Sequence, residues 1–162
     1  MIETKFSKYG YIENCPITHT DAMIIRPWEY STDDFHTGID LFCDRVYSVC
    51  SGVVIELDKS IDNTYVITVQ YTDDIIVRYL HLAAVAVSFG QIIQIDDVIG
   101  TAEEYVHFEY ATKQNSMFSV RLSNALGFFK HNPYDVAAGI TTLPDSGMTD
   151  YEPPEHATQT IF

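Results

Sequence analysis

The sequence predicts a mainly β protein folded as one small antiparallel β-sheet domain. Residues that suit a pleated, half-buried surface are frequent, since the 162-residue chain contains 11 Tyr and 9 Phe as well as many Val and Ile. Short apolar or alternating runs also follow one another across brief polar turns, and such connections permit antiparallel pairing, whereas parallel pairing needs crossovers of about a dozen residues. With 46% hydrophobic residues, the chain can bury a sizeable core.

The predicted elements follow in chain order. Residues 1–35 mix aromatic and turn residues, so we expect an irregular approach with one or two short strands. Polar turns at 59–63 and 72–74 separate the next apolar runs, as in hairpins. The strands of the sheet are predicted at Ile39–Phe42, Val46–Leu57, Thr64–Tyr71, Ile75–Leu82, Ile92–Ile99, Tyr105–Tyr110 and Met117–Leu122.

One domain accounts for nearly the whole chain. We predict that it covers residues 1–139, with its core at about 35–112, and we find neither an internal repeat nor a second domain. Pro and Gly lie among polar residues near the C-terminus. This composition predicts that residues 140–162 form an extended or mobile tail.

Composition and charge exclude some partners. Nine Lys and Arg against 23 Asp and Glu give a formal charge of −14, and no basic stripe offers a surface for phosphates, so nucleic acid is not an expected partner. The N-terminus lacks a basic region followed by an apolar run. A membrane helix needs about 18 to 20 consecutive apolar residues, and no segment of the sequence comes near this length. We therefore expect no signal peptide and no membrane insertion. Action outside the cell would then involve lysis, a dedicated export route, a phage particle or a trimmed precursor.

The three cysteines do not predict a disulfide framework. Cys15, Cys43 and Cys50 are odd in number and contain no close metal-binding pair. A bridge between Cys43 and Cys50 stays open, while buried free thiols are the simpler interpretation.

One strand combines a chemical face with a core face. Along Tyr105–Tyr110, alternation puts Tyr105, His107 and Glu109 on one side and the apolar or aromatic residues between them on the other. His36 and Asp40 are four residues apart, an even separation that also puts both on one face of a strand.

These residues suggest a metal site. A His followed four residues later by Asp is weak evidence alone, because two ligands do not close a zinc site, but His107 on another strand would add a third. Gly38, between His36 and Asp40, would let the backbone approach closely. Two His and one Asp suit zinc and leave the open coordination position that catalytic zinc requires.

His81 is a candidate proton carrier. It lies at the end of the strand Tyr79–Leu82, where alternation puts Tyr79 and His81 on the face opposite Leu80 and Leu82. An unperturbed imidazole titrates near neutrality, which suits proton transfer or contact with an oxyanion. A semi-buried, hydrogen-bonded structural histidine is the alternative.

The order of these motifs resembles that of the lysostaphin/LytM-type zinc metallopeptidases. The resemblance spans about residues 35–112 and rests on the combination of short motifs at His36–Asp40, Val46–Val54, Tyr79–Leu82, Gly90 with Val98–Gly100, and Val106–Glu109. It implies a small antiparallel β-sheet domain of the duplicated-hybrid-motif type with an elongated groove. Family members cleave peptide bonds of peptidoglycan stem or cross-bridge peptides in that groove.

The resemblance also assigns roles to residues. It implies that His36, Asp40 and His107 are zinc ligands and that His81 is one of two catalytic histidines that do not bind the metal. The second catalytic histidine of the family comes two residues before the last ligand, where this chain has Tyr105. The Gly- and Ser/Thr-rich loop that precedes this motif is reduced here to 100–104, which implies a shorter and more acidic cleft wall.

Two functions are compatible with Tyr105. A tyrosine hydroxyl can donate a hydrogen bond to an oxyanion, but its reference pKa of about 10 makes it a poor general base. One function is a zinc-dependent metalloendopeptidase that hydrolyses peptide bonds of bacterial peptidoglycan, in which His81, helped by Glu103 or Glu104, handles protons. The alternative is a catalytically degenerate zinc-binding domain whose groove binds a wall peptide or a protein partner.

Overall fold

A computed structural model describes residues 10–30, 35–113, 128–140 and 158–159. These residues form an eleven-stranded sheet and a separate two-stranded ribbon, which confirms the predicted antiparallel β fold. The elements in chain order are β1 Tyr11–Cys15, β2 Thr20–Arg26, β3 Glu29–Tyr30, β4 Phe35–His36, β5 Ile39–Phe42, β6 Arg45–Tyr47, β7 Gly52–Lys59, β8 Tyr65–Thr72, β9 Ile75–Val85, β10 Ile92–Ile93, β11 Val98–Lys113, β12 Phe128–His131, α1 Tyr134–Ala137 and β13 Thr158–Gln159.

The long strand β11 lies at the centre of the sheet. The main strand order is β1-β2-β5-β11-β9-β8-β7-β10, and β6 and β12 also pair with β11. Neighbours along this path pair antiparallel, whereas β13 pairs parallel with β7. Because β5 and β9 flank β11, residues from three strands meet around His107, which is paired with Asp40 on one side and Leu80 on the other.

The core lies behind one face of β11. Val106 and Phe108 are fully buried, and the Phe108 ring packs against Tyr79 with 5.3 Å between ring centroids. The Tyr79 hydroxyl accepts a hydrogen bond from the backbone N–H of Val49 at 3.0 Å, so its polar atom is satisfied inside the core. Fully burying a large apolar side chain contributes about 1.5–3 kcal/mol, and this packing fixes which face of β11 points outward.

The N-terminal part is more regular than predicted. Within residues 10–30, β1 and the seven-residue β2 form an antiparallel hairpin, and β3 follows. The turn residues between β1 and β2 join the two strands, with His19 in a left-handed conformation at φ 58°. The turn residues from which we predicted an irregular segment therefore form the turn of a hairpin.

Residues 100–104 are strand rather than the loop that we predicted. They belong to β11, because Gly100 and Thr101 pair with β6 on one side and with β9 on the other. A Cβ on Gly100 would overlap the carbonyl oxygen of Ala84, so glycine allows this close approach. Further along, the β9–β11 register shifts between Ala102 and His107, so the intervening residues have no partners in β9.

Two predictions concern parts of the chain outside the described residues. The predicted strand Met117–Leu122 lies outside them, and of residues 140–162 only Ile140 and Thr158–Gln159 are described. The domain bounds and the C-terminal tail stay predictions. None of the helices in the described residues is long and apolar enough to span a membrane.

All three cysteines are buried free thiols, as the simpler interpretation predicted. Burial raises the pKa of both the Cys43 and the Cys50 thiol to about 12. Because the thiolate is the reactive form, these cysteines are structural rather than nucleophilic.

Candidate metal centre

The structure brings His36, Asp40 and His107 together. The pairing of β5 with β11 places His107 directly opposite Asp40, and His36, at the end of β4, lies on the same face. His107 Nδ1 lies 2.7 Å and His36 Nε2 lies 3.3 Å from Asp40 Oδ1. One donor atom from each residue lies within 4.8 Å of the other two, and all three residues are buried.

The second nitrogen of each imidazole has a partner of its own. His36 Nδ1 donates to the carbonyl oxygen of Pro27 at 2.8 Å, and His107 Nε2 donates to Glu109 Oε2 at 3.0 Å. These acceptors fix each ring so that His36 Nε2 and His107 Nδ1 face Asp40, an arrangement common around metal-binding histidines. Two imidazole nitrogens and one carboxylate oxygen form a donor set that fits zinc.

Opposing effects set the charges in this cluster. Burial alone raises the pKa of Asp40, but hydrogen bonds from His107 and His36 outweigh it and lower the pKa to about 2. Burial lowers the pKa of His107, whereas its hydrogen bonds to Asp40 and Glu109 raise it, with a net increase. Burial raises the pKa of Glu109. The hydrogen bond from His107 and the positive charges of Arg78 and Lys130 outweigh this effect, so the pKa lies far below the usual range. Both carboxylates are therefore ionised at neutral pH.

The residues between His36 and Asp40 also serve the site. A Cβ on Gly38 would lie 2.6 Å from His107 Nε2 and would overlap the Phe108 carbonyl oxygen, so only glycine permits this packing. The neighbouring Thr37 hydroxyl donates to Glu109 Oε2 at 2.6 Å. The predicted close approach at Gly38 is thus confirmed.

The alternation predicted around His81 is wrong. Tyr79 and Leu82 are both buried in the core, whereas the His81 side chain is 37% exposed. The β8–β9 register shifts between the pairs Tyr65–Leu82 and Ile67–Tyr79, and His81 has φ 65°, so a β-bulge turns it outward. His81 and Tyr79 therefore face opposite sides.

His81 and Tyr105 meet beside the metal cluster. Their ring centroids are 5.0 Å apart, and His81 lies 6.2 Å from the His107 ring. Both line a cavity of about 450 Å³, which is formed by Thr64, His81, Glu103, Glu104 and Tyr105. Burial, followed by the negative charges of Asp40, Asp62 and Glu104, raises the pKa of Tyr105, so its hydroxyl keeps its proton and can only act as a donor or neutral acceptor at neutral pH.

The family of the chain follows from its sequence as well as its fold. A sequence model of peptidase family M23 matches residues 34–124, more than half of the chain. The chain belongs to this family. The predicted relation to lysostaphin/LytM-type enzymes is thereby confirmed, and His36, Asp40, His81, Tyr105 and His107 all lie within the matched M23 region. A comparison with curated protein sequences gives no match.

Solved structures share the M23 fold at low sequence identity. Lysostaphin from Staphylococcus simulans aligns with a TM-score of 0.56 and 16% identity, over 84% of this chain and 60% of lysostaphin. CbpA from L. salivarius REN aligns with a TM-score of 0.53 and 22% identity, over 68% of this chain and 78% of CbpA. A chain of the SpoIIIAH–SpoIIQ complex aligns with a TM-score of 0.53 and 21% identity, over 70% of this chain and 91% of the chain in the complex. At these identities the comparison concerns the fold alone.

The sequence did not reveal what lies behind His107. Glu109 was placed on the chemical face, but its hydrogen bond to the ring was not predicted, nor were the Arg78 and Lys130 cations beside it. An acidic residue two positions after a histidine on a strand, and on the same face, is a weak signal for this arrangement in an M23 chain.

Proposed function

We propose that this chain is a zinc-dependent metalloendopeptidase that hydrolyses peptide bonds of bacterial peptidoglycan. The observation that carries the proposal is the convergence of His36 Nε2, Asp40 Oδ1 and His107 Nδ1 within 4.8 Å, in a chain of a peptidase family. His36, Asp40 and His107 are the proposed ligands.

The residues around the cluster suit the remaining chemistry. Zinc held by His36, Asp40 and His107 would supply a Lewis acid for the peptide carbonyl. His81, on the cavity wall, takes a proton from the attacking water and passes it to the departing amine as the C–N bond breaks. Tyr105, whose hydroxyl stays protonated, donates a hydrogen bond to the oxygen on which negative charge develops. Only one proton carrier is then available where the family has two histidines.

The proposed substrates are peptidoglycan stem or cross-bridge peptides. The resemblance to lysostaphin/LytM-type enzymes and membership of peptidase family M23 support this class. The cavity wall carries Glu103 and Glu104, which suits a substrate segment without negative charge at this position. We propose that the protein acts at the cell wall, outside the cell or in association with a phage.

A catalytically degenerate domain is the second candidate, and Tyr105 favours it. The side chain beside His81 is a phenol, so general acid–base assistance, typically worth about 10²–10⁴-fold, would be incomplete. The groove would then bind a wall peptide or a protein partner while zinc stabilises the fold. A chain with this fold in the SpoIIQ–SpoIIIAH pore-forming complex supports a role in assembly.

Metal analysis and a cell-wall digest test the proposal together. Purified wild-type protein, His107→Ala and Tyr105→His are assayed for zinc content and incubated with cross-linked walls, and released peptides are identified by mass spectrometry. The endopeptidase predicts zinc and peptide release in the wild type, with both lost in His107→Ala. A zinc-loaded wild type that is inert, while Tyr105→His cleaves, would instead establish the degenerate domain. A wild type without zinc would refute both.

A further inference from the structure

A buried carboxylate lies directly behind the proposed ligand His107. The side chain of Glu109 is only 2% exposed, and four groups reach its two oxygens. Arg78 Nη1 donates to Oε1 at 2.8 Å, whereas His107 Nε2 at 3.0 Å and the Thr37 hydroxyl at 2.6 Å donate to Oε2. Lys130 Nζ lies 3.7 Å from Oε2. Oε1 is thus bound to Arg78, and Oε2 accepts the hydrogen bond from the His107 ring.

Charge balance keeps this carboxylate in place. Arg78 also donates through Nη2 to Glu56 Oε1 at 3.1 Å. The group therefore contains two cations, Arg78 and Lys130, and two carboxylates, Glu56 and Glu109. Two positive and two negative charges cancel within this buried group. An isolated buried charge is costly, but one that is paired and hydrogen-bonded on all sides can be kept. Removing one member leaves another uncompensated.

We propose that Glu109 is a positioning residue of the metal centre, which holds the His107 ring with Nδ1 toward Asp40 and His36, and that Arg78 and Lys130 fix its carboxylate. The inference rests on the zinc site of the proposed function and adds a determinant of metal affinity to it. A carboxylate that accepts the proton of the distal ring nitrogen fixes the tautomer and makes the other nitrogen a better ligand.

Glu56 provides a matched comparison within the same group of charges. Both carboxylates pair with Arg78, and both are largely buried. Glu56 accepts from Arg78 and Thr68, neither of which belongs to the metal cluster. A purely structural role of the network predicts similar consequences for the loss of either charge. A positioning role predicts that only Glu109 matters for zinc.

The experiment compares Glu109→Gln with Glu56→Gln in the full-length protein. Zinc dissociation constants are measured by competition with a chelator, and thermal unfolding is measured on the metal-stripped proteins. We expect Glu109→Gln to weaken zinc binding about 10- to 100-fold, the usual range for lost outer-shell partners. Glu56→Gln should stay within about threefold of the wild type even where it lowers the unfolding temperature.

A spectroscopic readout and a second variant protect the test against a folding defect. In nitrogen-15 spectra of the zinc-loaded proteins, the His107 Nε2–H should be protected from exchange in the wild type and in Glu56→Gln but not in Glu109→Gln. If Glu109→Gln does not fold, Thr37→Val removes one partner of Oε2 and should weaken zinc binding several-fold, since the carboxylate is then held by one hydrogen bond fewer.

The outcomes separate this inference from the proposed function. Equal zinc affinities in Glu109→Gln, Glu56→Gln and the wild type, or equal losses in both variants, would overturn the positioning role and leave the zinc site intact. A wild type that does not bind zinc would overturn the proposed function and this inference with it. Zinc binding with the expected difference, in a protein without hydrolytic activity, would support the positioning role and refute only the endopeptidase.

Discussion

The two sides of the candidate site are built differently. On the metal side, His107 and Asp40 face each other in a regular β5–β11 ladder, and both are less than 10% exposed. On the other side, His81 lies on a bulge with φ 65°, is 37% exposed and opens onto the cavity that it shares with Tyr105. One side is paired and closed, whereas the other is irregular and open.

This difference fits the roles proposed for the two sides. Metal ligands need fixed positions, and a hydrogen-bonded ladder with a buried second partner for each ring provides them. A proton carrier needs contact with substrate and solvent, and the interrupted strand pairing at His81 suits the role proposed for it. Backbone strain persists at such positions only when the surrounding structure enforces it, as the flanking core residues Tyr79 and Leu82 do here.

The largest expected effect concerns the open side. In the proposed mechanism His81→Ala lowers the rate of wall-peptide hydrolysis by about 10²–10⁴-fold, because the proton carrier is lost. Zinc content should stay at the wild-type level, since the proposed ligands and their partners are untouched. Both quantities are measured on the same preparation.

His19→Ala is the matched control for this substitution. His81 has a positive φ, and its Nδ1 lies 3.7 Å from Asp62 Oδ2. His19 likewise has a positive φ, of 58°, a side chain 38% exposed and an aspartate partner, Asp96, but it stacks on Tyr47 away from the metal cluster. Its replacement should leave hydrolysis unchanged. Equal activity of His81→Ala and His19→Ala would remove His81 from the mechanism, and zinc loss in His81→Ala would contradict the separation of the two sides.

The next effect concerns the closed side. Gly38→Ala inserts a methyl group against His107 and the Phe108 carbonyl, and overpacking of this kind typically costs about 1–3 kcal/mol. Because the displaced ring is a proposed ligand, zinc affinity should also fall by at least about tenfold, equivalent to about 1.4 kcal/mol. Chelator competition and thermal unfolding measure the two effects.

Gly52→Ala separates general strain from damage to the metal site. A Cβ on Gly52 would overlap the Gln70 carbonyl oxygen and lie 2.9 Å from Val69 Cγ1, in the pairing of β7 with β8. This variant should lose similar stability and keep its zinc affinity. A similar affinity loss in both variants would show that the metal side responds to any strain in the sheet.

The regular side of the site was the more predictable one. Alternation placed Tyr105, His107 and Glu109 on one face of β11. The His81 ring lies beside both Tyr105 and His107, and His107 is hydrogen-bonded to Glu109, which confirms the shared face. Period-two patterns hold wherever a strand is continuously paired, which is why the cluster could be assembled from sequence.

The irregular side could not be predicted in the same way. The bulge at His81 adds a residue to β9, and nothing in the alternation of Tyr79–Leu82 indicates an extra residue. The Arg78 pairing with Glu109 joins residues 31 positions apart, so it depends on the β9–β11 register rather than on a local motif. Both features arise from tertiary pairing, which sequence spacing alone does not specify.

The smallest expected effect tests whether the open side stores strain. His81→Ala and His81→Gly remove the same imidazole, but alanine keeps the penalty of a left-handed backbone, about 1–2 kcal/mol, and glycine does not. Glycine also makes the unfolded chain more flexible, which costs about 0.4–1 kcal/mol of stability, so the net advantage of His81→Gly should be at most about 1.6 kcal/mol. Denaturant unfolding of the zinc-loaded proteins measures it. Since His19 has a similar φ, His19→Gly should exceed His19→Ala by a similar amount, and a His81→Gly less stable than His81→Ala would mean that the bulge carries no strain.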